Sequence, residues 1–179
     1  MSLRNIPRNV GGTSCDVYKF DGYAIKIEKP EPDLLELKLY ERELIALDMI
    51  QQFDWAPKVV GVLRNSRCIV MVDAGKRINP YNMPKDSKDQ ISKIFDDLDS
   101  INLRNDDVGM HEFLVNEDGK ITLCDWGWCS LWVDGKRDPS LGGHEGICTK
   151  LKPLAQSIGK DRVLEIISDT SLYKTRVWR

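Results

Sequence analysis

The chain has 179 residues, 41% of them apolar and 30% charged, with a formal charge of -2; that is enough for one domain with its own core, and too near neutral to point to a nucleic-acid surface. Five cysteines (Cys15, Cys68, Cys124, Cys129, Cys148) are scattered without a C-x-x-C, which argues against a zinc site or a disulfide scaffold and for reduced thiols in a cytoplasmic compartment. No apolar run is long enough for a membrane span, and the N-terminal residues lack the layout of a signal peptide.

Residues 1–10 carry little pattern and read as a loose arm or a first strand. Gly11, Gly12, Thr13 and Ser14 then form a turn of small residues whose backbone N–H groups can approach a phosphate. Two β-rich runs, 15–20 and 23–28, flank Asp21-Gly22 and read as a hairpin. Pro30 and Pro32 break the chain. Leu34, Leu37, Leu44, Leu47 and Ile50 then recur at helical spacing, predicting one helix over 34–50. Strands are expected at 59–63 and 68–72, joined by a turn at 64–67 and followed by Asp73-Ala74-Gly75. Residues 76–85, with Pro80 and Pro84, read as a polar connector. Asp86-Ser87 can cap a helix over 88–101, whose core stripe is Ile91, Ile94, Phe95 and Leu98.

The most informative stretch is 105–127, N-D-D-V-G-M-H-E-F-L-V-N-E-D-G-K-I-T-L-C-D-W-G. The Asp118-Gly119 turn and the alternation around it predict a hairpin, which brings Asp107, Glu112 and Asp125 together. Such acids suit Mg²⁺, a hard ion that takes few protein carboxylates beside phosphate oxygens. His111 and His144, the two histidines of the chain, read as surface or structural residues, with His111 placed to lean on a metal shell through its neighbour Glu112. A Gly/Asp-rich loop is expected to run on to Gly146, with helices over 146–158 and 161–168 separated by Gly159, and then a basic-aromatic tail.

The stretch resembles the catalytic and metal-binding segments of the protein-kinase-like superfamily, H-x-D-x-x-x-x-N followed by a hairpin and D-F-G. Asp107 falls on the catalytic Asp, Glu112 on the metal-binding Asn and Asp125-Trp126-Gly127 on D-F-G. Asn105 stands where the family has His. The spacing of 13 positions between Glu112 and Asp125 is similar to that of the aminoglycoside and choline kinase branch, and the small size is similar to that of compact bacterial or viral Ser/Thr kinase-like proteins. Upstream, Ala24-Ile25-Lys26 resembles the strand-three lysine motif, and Glu43 is the expected partner of Lys26, with Glu36 and Glu41 as alternatives.

The resemblance implies an α+β, two-lobed kinase-like fold in a single domain over 1–179. Its N-lobe (about 8–74) would be an antiparallel sheet with one helix, its hinge would lie at about 72–76, and a reduced, mainly helical C-lobe would span about 77–179. It implies ATP as the phosphate donor, bound by Gly11, Gly12, Thr13, Ser14, Lys26 and Glu43 and by the backbone at Val72 and Ala74. Asp125 and Glu112 would hold Mg²⁺ or Mn²⁺, and Asp107 would accept the proton of the acceptor hydroxyl, expected to be a Ser or Thr of a protein substrate. Two alternatives stand beside this: a pseudokinase acting as a nucleotide- or protein-binding module, and a small-molecule kinase.

Overall fold

The Asp21-Gly22 turn closes the first hairpin with both residues at positive φ, 49° and 79°, the conformation a two-residue turn needs to match the twist of its strands. In this computed structural model, which describes residues 8–138 and 159–169, the hairpin lies within a five-stranded antiparallel sheet. Its strands are β1 (Arg8–Asn9), β2 (Cys15–Phe20), β3 (Tyr23–Glu28), β4 (Val59–Leu63) and β5 (Cys68–Val72), in the order β1-β2-β3-β5-β4. The register pairs Val17 with Lys26 and Lys26 with Ile69, and it pairs Ala24 with both Lys19 and Met71. Because directly opposed residues share a face, Val17, Ala24, Lys26, Ile69 and Met71 all lie on one side of the sheet.

The single helix expected over 34–50 is two. A short α1 (Pro32–Glu36) and α2 (Leu39–Ile50) are separated by Leu37 and Lys38. Lys38 takes a left-handed φ of 53°, which a continuing helix does not allow. The bend buries Leu37 and Leu39 together, at 2% exposure each, so tertiary burial overrides the local periodicity.

After β5, the segment read as a plain connector holds β6 (Lys76–Arg77). The helix expected over 88–101 is α3 (Ser87–Ser100), and it is followed by β7 (Leu103–Asn105), β8 (Phe113–Val115) and β9 (Ile121–Leu123). The stretch read as a loop beyond Gly127 instead contains β10 (Cys129–Val133) and β11 (Lys136–Asp138), turned at Asp134 and Gly135 with φ of 50° and 72°. Two small antiparallel sheets result, β6-β8-β9 and β11-β10-β7. The last described element is α4 (Lys160–Ser168); the helix expected over 146–158, His144 and the tail lie outside the described residues. The architecture is α+β with antiparallel sheets, and among the described residues no helix is long and apolar enough to cross a membrane.

One apolar cluster joins these parts. Ile69 from the large sheet, Leu47 and Ile50 from α2, Ile91, Ile94 and Leu98 from α3, Phe113, Ile121 and Leu123 from the hairpin, and Val163 and Ile166 from α4 all belong to it. Trp126 is fully buried there, donating its indole N–H to the Leu123 carbonyl at 3.1 Å and tilting against Trp55 with centroids 6.2 Å apart. Gly75 connects the large sheet to this core at a φ of 103°, and a Cβ there would stand 2.1 Å from the Val115 carbonyl oxygen. Gly75→Ala is therefore expected to cost about 2–4 kcal/mol, read as a melting temperature lowered by roughly 5–15 °C.

Candidate functional site

Lys26 sits mid-strand on β3 and projects from the sheet towards α2. Its ammonium lies 2.8 Å from Glu43 Oε1, 2.7 Å from Glu43 Oε2 and 2.7 Å from Asp125 Oδ1. Glu43 is brought there by α2, while Glu41, two positions earlier and on another face, pairs instead with Arg67 at 2.7 Å. Glu36 is exposed on α1. The lysine and Glu43 side chains are 10% and 5% exposed, whereas Asp125 remains 43% open.

The charges of this trio are interdependent. Burial alone would favour a neutral amine at Lys26, but Asp125 and Glu43 outweigh it and hold its pKa well above the ordinary range. Burial raises Glu43 despite the lysine beside it. Asp125 is held low, chiefly by the Lys26 charge. Burial raises the thiol of Cys15 beside the same charges, and that of Cys124 more strongly, so neither is an activated nucleophile.

Asp125 is also conformationally unusual, with a left-handed φ of 60°. Asn105, at the end of β7 and 5% exposed, holds it there. The Asn105 amide donates to the Asp125 carbonyl at 2.8 Å and to the Cys124 carbonyl at 3.4 Å, and its oxygen accepts the Asp107 N–H at 3.0 Å. One buried side chain thus fixes both acidic segments relative to each other. Asn105→Ala strips partners from the Asp107 N–H and the Asp125 carbonyl, and is expected to cost about 1–3 kcal/mol in urea unfolding. Next to it, Asp106 accepts a hydrogen bond from the Ser130 hydroxyl at 3.0 Å, tying the same loop to β10.

Asp107 is half-buried; burial first, and then the Asp125 charge, raise its pKa, with His111 opposing. Glu112 closes the turn Met110–Glu112 and is buried, its Oε1 lying 2.6 Å from His111 Nε2. Burial raises Glu112 against that contact, and the contact in turn raises His111. His111 is therefore a close neighbour of the acids while its side chain stays 34% exposed. Gly109 makes room for it, because a Cβ there would meet the imidazole at 2.5 Å. Nothing in the sequence beyond its adjacency to Glu112 announces this.

The remaining expected residues are placed less tightly. Gly11, Gly12 and Thr13 are exposed ahead of β2, Ser14 is half-buried, and the Gly12 carbonyl accepts from Lys29 Nζ at 2.9 Å. Val72 projects on the face opposite Lys26, and its N–H is donated to the Lys58 carbonyl at 2.9 Å. Ala74 lies between Asp73 and Gly75, both of which Lys19 contacts. A cavity of about 350 Å³ opens elsewhere, between α3 and the turn of the β8–β9 hairpin, beside Trp55, Pro84, Gln90, Lys93 and Lys120, and none of the expected residues lines it.

Among the described residues, no three His, Cys, Asp or Glu side chains are grouped so as to hold a metal ion by themselves. Asp125 and Glu112 fit the smaller demand of Mg²⁺, which takes one or two carboxylates and fills its shell with phosphate oxygens and water. The Asp125 charge raises both Glu112 and Asp107, a like-charge crowding that a divalent cation relieves. No family model and no curated protein matches the chain.

Proposed function

We propose that this chain is an ATP- and Mg²⁺-dependent phosphotransferase of two-lobed, protein-kinase-like architecture, moving the γ-phosphate to a hydroxyl of a protein Ser or Thr. The observation that carries the reading is the double ion pair of Lys26, to a glutamate on α2 and to an aspartate 99 positions away at the end of the β8–β9 hairpin. A lysine held charged between two carboxylates, one of them open to solvent, is poised to bind phosphate oxygens.

Phosphoryl transfer asks a protein chiefly for positioning and charge neutralisation. Lys26 binds the α- and β-phosphates, with Glu43 fixing the direction of its ammonium. Asp125 and Glu112 are the residues that would hold Mg²⁺, which supplies charge neutralisation at the phosphate oxygens when bound. Asn105 sets Asp125 and Asp107 relative to each other, and Asp107 accepts the proton of the attacking hydroxyl. Gly11, Gly12, Thr13 and Ser14 offer backbone N–H groups to phosphate, and the backbone at Val72 and Ala74 offers hydrogen bonds to the base.

A second reading, a nucleotide-binding module without turnover, draws support from the Glu112 carboxylate being engaged by His111. One experiment separates the two. Thermal shift with ATP and Mg²⁺ or Mn²⁺ reports binding, and incubation with γ-labelled ATP and a Ser/Thr protein reports transfer. A metal-dependent shift with label incorporation supports the phosphotransferase, a shift without incorporation supports the module, and the absence of any shift overturns both.

A further inference from the structure

One strand beside the acidic cluster, β6, is not used by the phosphate chemistry. β6 pairs with β8, placing Arg77 opposite Leu114, and Ile78 follows it into the core at 3% exposure while donating its N–H to the Phe113 carbonyl at 2.8 Å. Lys76 and Arg77 are both exposed, and neither has an ion-pair partner among the described residues. β6 packs against the Met110–Glu112 turn, so it stands beside the acids of the site.

The residues that follow form a hydrogen-bonded turn. The Asn79 N–H donates to Asn82 Oδ1 at 2.7 Å, the Tyr81 N–H donates to Asn79 Oδ1 at 2.9 Å, and the Asn82 amide folds back to the Arg77 carbonyl at 2.9 Å. At its tip Tyr81 is 99% exposed, well above the next most exposed large apolar residue among the described residues, Leu63 at 58%. An aromatic ring held out on a pre-ordered turn sacrifices little entropy when it is covered, which is the economy of an interface anchor.

Of the acids of the neighbouring site, Asp125 is engaged by Lys26 and Glu112 by His111, Asp73 is paired with Lys19, and Asp107 stays half-buried beside Asp125. The exposed charges on β6 itself are both positive. We infer that β6 and the Asn79–Asn82 turn form the acceptor-recognition surface of the site, taking a peptide whose hydroxyl is flanked by acidic residues, with Lys76 and Arg77 meeting its carboxylates and Tyr81 packing on its backbone. This rests on the phosphotransferase reading for its purpose, but not for its binding.

The test uses three fluorescein-labelled Ser peptides, flanked by Asp/Glu, by Lys/Arg or by Ala, titrated at low salt with the whole chain and followed by anisotropy. The wild type is expected to bind the acidic peptide about tenfold more tightly than the basic one, the sum of two exposed charge contacts. Arg77→Glu, which sets one repulsive charge against Lys76, is expected to abolish that preference, and Tyr81→Ala to weaken the acidic peptide several-fold while keeping it. A wild type without acidic preference, or an Arg77→Glu protein that keeps the wild-type order, overturns the inference. An acidic preference without transfer of labelled phosphate upholds this surface and removes the phosphotransferase reading. Transfer to all three peptides with equal KM does the reverse.

Discussion

Asp107→Ala is expected to lower phosphoryl transfer by roughly 10²–10⁴-fold, the usual contribution of a positioned general base, while the thermal shift produced by ATP persists. Asp107 takes no part in the Lys26 ion pairs, so its removal leaves the charges proposed to bind phosphate in place. Its raised pKa, caused by burial and then by Asp125, makes it a better proton acceptor than an exposed aspartate, and the acidic limb of kcat against pH should lie above the ordinary 3.8. The same shift fixes the sign of the stability effect. A carboxyl that binds its proton more tightly when folded stabilises the fold at pH below its unfolded value, and this contribution is lost as pH rises through the folded value. At neutral pH the ionised Asp107 therefore opposes folding, and the alanine variant should melt no lower than the wild type. Equal turnover by variant and wild type removes Asp107 from the mechanism.

Lys26→Met is expected to act on both stability and binding. It leaves Glu43 buried at 4% exposure without its cation, and breaking a buried pair from one side costs about 3–5 kcal/mol, a melting temperature lower by roughly 10 °C. The ATP-dependent shift should vanish with it. Because the folded-state pKa of Lys26 is raised, its contribution is complete below the ordinary 10.5 and is lost only as pH climbs through the folded value, so the wild type alone should show that alkaline loss. Adding Glu43→Leu to Lys26→Met removes the stranded carboxylate and should recover most of the stability but none of the nucleotide binding. Recovery of both would mean that the pair serves packing rather than phosphate.

The residues of this cluster are expected from the resemblance to kinase-like motifs, and the hairpin that joins two of them is signalled locally. The Asp-Gly turns at 21–22 and 118–119 specify hairpins from a few neighbouring residues, and a hairpin brings Glu112 and Asp125 to the same end, with the Cys124 N–H donating to the Glu112 carbonyl at 3.0 Å. Glu43 could be preferred over Glu41 because two positions on a helix change the face, and the structure sends Glu41 to Arg67. The unforeseen parts are those set by distant contacts. β7 and β10 pair residues such as Leu103 with Leu131, and three- to five-residue strands have no periodicity of their own to read. The β10–β11 turn is different, since Asp134-Gly135 carries the same signal as the other two turns and was open to the same reading. The break at Lys38 and the placing of His111 over Gly109 arise from burial and ring packing, which no local pattern encodes.

Arg67 has a consequence for how such a protein could be controlled. Its guanidinium forks onto both carboxylate oxygens of Glu41 at 2.7 Å, also contacts Glu28, and lies 5.0 Å from the centre of the Tyr40 ring. On another side of the same helix, Arg42 donates to the Cys129 carbonyl. α2 is thus riveted to the large sheet and to β10 at once, and Glu43 is delivered to Lys26 without any effector having to swing a helix inward. If the proposed phosphotransferase activity is present, it rests on a helix already in place, and its control would fall on what reaches Lys26 rather than on α2.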